Sequence, residues 1–247
     1  MSVQPKSIAS SLYKRMLQYQ FKKTIPPLVI EGFKRDANKL IKHDAQSAYD
    51  LLGVIASLEN KRENVISNYK KAIGLGNDPY VYYNFAVSLN RVGEVSLSLE
   101  NLKEGMKFID PLNLDLLQRY HHAFMASLSI NELLVINKKL AKLKSPEDNN
   151  LKLLTHFFNQ NNFNLELIEK FIIKVGYIIY NNNLISAKRT YFEGNDNSLY
   201  MILNVESENI SDIVNCNFDI SDMKIEFEDE FNINLSNFIV SCEVMND

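Results

Sequence analysis

From about residue 5 to residue 180 the apolar positions recur at helical intervals. Over 26–44, Phe33, Ala37, Leu40 and Ile41 share one face, and Pro26 and Pro27 stand where a helix start tolerates proline. Within 112–146, "LDLLQRYHHAFMASL" and "NELLVINKKLAKLKSP" form a helix pair, with Pro146 following its end. Residues 148–160 and 164–180 form a further pair around Leu154, Phe158, Ile168, Phe171, Ile172 and Val175. Near residue 186 the period changes to two. Val214, Cys216, Phe218 and Ile220 alternate with Asn215, Asn217 and Asp219, and Met223, Ile225 and Phe227 alternate with Lys224, Glu226 and Glu228. Together with Phe238, Val240, Cys242 and Val244, this pattern predicts an antiparallel meander with one acidic face. A short helix over 207–216, capped by Ser207, is the alternative.

Residues 46–78 and 79–111 superpose with a shift of 33. Leu52–Gly53 falls on Phe85–Ala86, Tyr49 on Tyr82, Val65 on Ser98, Tyr69 on Leu102 and Ala72 on Gly105. Large residues cover large ones, and small residues mostly cover small ones. Two amphipathic helices with a period of 33 or 34 are the signature of a stacked repeat.

The second copy carries Tyr82, Phe85–Ala86, Gly93, Ser98, Leu102, Gly105 and a closing Pro111. This series resembles the tetratricopeptide repeat (TPR), closely over residues 46–111 and loosely over 5–180. Small residues at the eighth and twenty-seventh positions let two helices cross closely, and bulky ones fill the gaps beside the crossing. The resemblance implies a mainly α chain, a right-handed α-solenoid of TPR-like helical hairpins followed by a small β-rich C-terminal module. The expected division is a helical repeat domain over 1–185 and an acidic β-rich domain over 186–247.

The resemblance also implies a function: a non-catalytic scaffold, adaptor or chaperone-like binder that holds a protein or peptide segment in a groove. In the family, first-helix residues line that groove, and the position two before the small eighth residue often carries Asn or Arg. Here it is Asn84 in one repeat and, with a two-residue shift, Arg119 in the next. Leu51 stands there in the preceding repeat, and the lysine of a full carboxylate clamp is absent. The implied partner-binding set is Asn84, Asn90, Arg91, Arg119 and His122.

Charge adds a second reading. Residues 1–75 hold 13 Lys and Arg against 6 Asp and Glu, a balance of +7; residues 193–247 hold one Lys, Lys224, against 13 acids, a balance of −12. The acidic end could therefore engage a basic protein, and the alternative function is a regulator whose acidic module blocks a basic enzyme or mimics nucleic acid. Lys34, Arg35, Lys39 and Lys42 read as a solvated face, so nucleic acid is not the expected partner.

Chemistry is sparse. His121 and His122 point about 100° apart on a helix, unlike an i, i+4 chelating pair. Gly74 and Gly76 read as helix-stop residues rather than a phosphate loop. The acids around 219–230 read as a solvated row that diverges rather than converging on metals. No enzyme, cofactor or metal is expected. The sequence contains no apolar run of membrane-spanning length and opens without a secretory signal pattern. Cys216 and Cys242 then read as buried, reduced thiols of a cytoplasmic protein. Oligomeric state is not legible at this level.

Overall fold

The computed structural model describes residues 5–19, 22, 25–146, 148–194, 197–207 and 209–244. The chain is mainly helical, with a small sheet near its carboxyl end, and divides into two compact units, Met1–Asp110 and Pro111–Asp247. The boundary expected at residues 185/186 falls inside the second unit, at the start of its first strand, Ile185–Glu193.

The first unit contains α1 (Pro5–Leu17), α2 (Pro27–Leu40), α3 (Ala45–Leu58), α4 (Arg62–Leu75), α5 (Pro79–Arg91) and α6 (Val95–Gly105). Starts and stops are written locally. Asp44 caps α3 by accepting from the Ser47 amide, and Asp78 caps α5 by accepting from the Tyr80 amide, with Pro79 in the first turn. Gly76 follows the end of α4. Three hairpins result: α1/α2, α3/α4 and α5/α6. The first helix of each later hairpin packs on both helices of the hairpin before it, α3 on α1 and α2, and α5 on α3 and α4.

The small residues of the repeat sit at those crossings. A Cβ on Gly53 would stand 2.6 Å from Cδ2 of Tyr69, a ring that is fully buried and stacked on Phe85 at 4.7 Å between centroids. Ala86, in the same place one repeat later, is buried, and its carbonyl accepts from the Ser98 hydroxyl of α6 at 2.8 Å.

The second unit contains α7 (Leu114–Ser127), α8 (Ile130–Lys142), α9 (Asn149–Gln160), α10 (Leu165–Asn181), β1 (Ile185–Glu193), β2 (Leu199–Glu206), α11 (Ile210–Phe231) and β3 (Phe238–Val244). Strand order is β1-β2-β3, with β1 antiparallel and β3 parallel to β2. A parallel neighbour requires a crossover, and α11 supplies it. Phe158 of α9, Phe171 of α10, Phe227 of α11 and Phe238 of β3 form one aromatic cluster.

The expected meander is therefore corrected. "IVNCNFDI" and "MKIEFED" are not strands but lie within one 22-residue helix, longer than the alternative over 207–216 and capped by Asn209 rather than Ser207. Ile213, Cys216, Ile220 and Phe227 are its buried residues, at helical spacings of three, four and seven. The alternating pattern also satisfies i, i+4, and packing on α10 and β3 selected the helical solution. The helix guards the sheet edge as well. Asn217 donates to the Cys242 carbonyl at 3.0 Å and accepts from its amide at 2.7 Å, while Lys224 donates to the Phe238 carbonyl at 3.0 Å. These contacts occupy β3 backbone groups that would otherwise be open to another strand. Cys216 and Cys242 are both free and buried, their sulfurs 3.4 Å apart.

One local feature recurs through both units. Asn60, Gly93, Leu128 and Asn162 all have positive φ, 55°, 80°, 50° and 52°, and each closes the first helix of a hairpin. At each, its own amide donates to the carbonyl three residues back. The next amide donates five back, as in Lys61 to Ala56, Glu94 to Leu89, Ser129 to Phe124 and Phe163 to Phe158. This is the left-handed helix stop. The same stop also ends two second helices, α8 at Lys144 and α10 at Asn183. Among the first helices alone it recurs at 33, 35 and 34 residues, close to the period read from the side chains.

Candidate functional site

The residues singled out from the sequence fall on two helices. Asn84, Asn90 and Arg91 lie on α5 in the first unit, and Arg119 and His122 lie on α7 in the second. On α5, positions 80, 83, 84, 87, 90 and 91 fall within one face of the helix at 100° per residue. Tyr80 and Val87 are exposed large apolar residues, at 37% and 51%, and Asn90 is exposed beside them. Tyr83 is half-buried on the same face.

Asn84 and Arg91 occupy the edge of that face nearest α3, and both are engaged within the unit. The Asn84 amide donates to Asp50 Oδ2 at 3.0 Å, to Oδ1 at 3.3 Å and to the Tyr13 hydroxyl at 3.2 Å. The Tyr13 hydroxyl in turn donates to Asp50 Oδ2. Three first helices, α1, α3 and α5, are thus tied at one buried carboxylate. Arg91 donates to the Ser57 carbonyl at 3.2 Å and to the Lys22 carbonyl at 2.8 Å, fastening α5 to the end of α3 and to the segment between α1 and α2. Burial draws its guanidinium below the ordinary range.

Asp50 and Tyr13 were not singled out from the sequence. The signal was present: an acid between Tyr49 and Leu51 at a core-facing position of an apolar helix. Burial pushes the Asp50 carboxyl up from 3.8 to about 7, against the hydrogen bonds from Tyr13, Asn84 and Tyr69, which favour the ionised form. Burial, and then the nearby Asp50 charge, hold the Tyr13 hydroxyl well above its ordinary value. Such an arrangement can position and clamp helices, and it can exchange a proton near neutrality.

On α7, Arg119 donates to Asp115 at 2.9 Å along the same helix, with both side chains about half exposed. His122 is exposed, whereas its neighbour His121 is buried with Nε2 3.6 Å from Asp148. Burial lowers the His121 pKa, against the opposing pull of Asp148. The two imidazoles meet edge to face at 6.0 Å. Among the described residues no three His, Cys, Asp or Glu side chains converge as metal ligands would, and no helix is long and apolar enough to cross a membrane.

No protein-family model matches the chain, and no curated protein or solved structure matches it.

Proposed function

We propose that this chain is a non-catalytic interaction protein whose first unit holds an extended segment of a partner protein against the face built by α1, α3 and α5. The observation that supports it is that α3 and α5 each pack on both helices of the preceding hairpin, while the helix stop at the ends of the first helices recurs at intervals of 33, 35 and 34 residues. In this reading α1–α6 are a stretch of right-handed, TPR-like α-solenoid, and the hairpins α7/α8 and α9/α10 of the second unit carry the same stop after their first helices. Solenoid repeats bury their small and bulky residues at helix crossings and leave first-helix side chains for recognition. Tyr80, Tyr83, Val87 and Asn90 are the recognition residues here. Exposed aromatic and aliphatic anchors supply contact area, and Asn90 supplies a backbone-directed amide. Asn84 and Arg91 serve the same surface from beneath, by fixing α5 against its neighbours.

The test is affinity capture with the full chain from an extract of its own cells, followed by binding of the identified partner to variants. Val87→Glu with Asn90→Ala alters only exposed positions, so the melting temperature should hold while the partner's affinity falls. Asn84→Ala should instead lower the melting temperature, because it strips a donor from buried Asp50. Unchanged affinity in the Val87→Glu, Asn90→Ala variant removes this face as the binding site.

A further inference from the structure

The second unit carries a different surface, independent of the first-unit reading. Helix α11 buries Ile213, Cys216, Ile220 and Phe227, yet its opposite side is apolar too. Ile210, Val214, Phe218 and Ile225 are 72%, 45%, 66% and 59% exposed in the whole chain. Val214, Phe218, Ser221 and Ile225 follow one another at intervals of four, three and four, the spacing of a coiled-coil seam. The seam from Val214 to Ile225 runs about 16 Å along the helix axis. Ser221 is exposed, and its hydroxyl is satisfied by the Asn217 carbonyl at 2.9 Å, so this layer offers space for a large side chain from outside.

Charge sets what can lie there. Asp222 and Asp229 occupy the positions flanking the seam on one side, with Glu226 beyond them, and all three are exposed. None of the three has an ion pair or side-chain hydrogen bond among the described residues. Other acids of α11 do: Glu230 meets Lys174 at 2.9 Å, and Asp219 accepts from Asn182 at 2.7 Å.

We propose that the exposed seam of α11 is the docking surface for an amphipathic helix of another protein, with aliphatic anchors at three- and four-residue spacing and Lys or Arg beside them. The anchors pack on Val214, Phe218 and Ile225, a large one fills the layer at Ser221, and the cations meet Asp222 and Asp229. A second copy of this chain fits less well. Antiparallel pairing of α11 with itself sets Asp222 and Asp229 against their own copies, where like charges repel. In the first unit, five cations meet its own acids: Arg15 and Lys39 at Asp36, Lys34 and Lys61 at Glu59, and Arg62 at Glu94.

Two labelled synthetic heptad peptides test this against the full-length protein by fluorescence anisotropy, identical in Leu and Ile anchors but carrying Lys or Glu at the flanking positions. The Lys peptide should bind about tenfold or more tightly than the Glu peptide, and less tightly as salt rises. Phe218→Gln with Ile225→Gln should abolish binding with circular dichroism and melting temperature unchanged. Asp222→Lys with Asp229→Lys should invert the preference between the peptides. Equal binding of both peptides, Lys-peptide binding insensitive to the seam substitutions, or no binding overturns the proposal. So does concentration-dependent self-association of the free protein that Phe218→Gln abolishes, which would assign the seam to a second copy.

Discussion

A carboxyl group in the middle of an apolar helix is costly unless it is paired or neutral, and Asp50 is held by both means. Tyr13 from α1 and Asn84 from α5 donate to it, Tyr69 of α4 lies close, and the charge of Asp78 adds to the burial that raises its pKa to about 7. A carboxyl whose folded-state pKa lies above its ordinary 3.8 binds its proton more tightly in the folded chain. Its contribution is therefore fully present below about pH 4, declines as pH rises towards 7, and is flat above that. Within the window, one such proton changes stability by up to about 1.4 kcal/mol per pH unit. Thermal melts of wild type and Asp50→Asn across pH 4 to 8 should diverge, the wild type losing ground to the variant as pH rises. Parallel curves would show that Asp50 does not titrate there. Asn84 illustrates what a residue-by-residue reading can reach. Its position two residues before the small Ala86 was legible in the sequence, whereas its engagement with Asp50 required α1 and α3 to be placed next to α5.

Within the hairpins, fit at the crossings and chirality at the turns determine what each position accepts. Gly53 faces the buried Tyr69 ring at a distance no Cβ tolerates, while nothing lies within 4 Å of a Cβ placed on Gly32 in α2. Gly53→Ala should cost about 1–3 kcal/mol by overpacking. Gly32→Ala should stabilise by about 0.5–1 kcal/mol through better helix propensity. Chemical denaturation measures both; effects of one sign would contradict the crossing geometry. At the turns, Gly93 has φ 80° and its counterpart Asn60 has φ 55°. Gly93→Ala should therefore lose about 1–2 kcal/mol to the left-handed conformation. Gly93→Asn should lose less, since Asn already occupies the equivalent turn, and the difference in their denaturation midpoints is the check.

Across the molecule, the charge split divides into two physical situations. The basic amino-terminal region is laced with ion pairs to its own acids, whereas the flank of α11 leaves Asp222, Glu226 and Asp229 without cations among the described residues. Exposed ion pairs contribute little and are screened by salt, and so is repulsion between neighbouring acids. Raising ionic strength should therefore slow amide exchange in residues 212–231 while changing residues 27–75 little. Hydrogen-exchange mass spectrometry at low and moderate salt reads this directly, and equal responses of the two regions would contradict it.

The sequence by itself determined the helical hairpins and their period. Capping acids, glycines and side chains at 3.6-residue spacing act within a few residues, and the small residues at positions 53 and 86 mark crossings that any packing of such helices must respect. It did not determine α11. There the apolar positions satisfy both a period of two and a helical repeat, so local pattern left strand and helix close in energy. Burial of Cys216, Ile220 and Phe227 against α10 and β3, together with the parallel pairing of β3 on β2, decided between them. The buried Asp50 junction and the exposed seam of α11 have the same origin. Each depends on which faces are covered once distant segments meet, and solvent exclusion is a property of that assembly rather than of any segment within it.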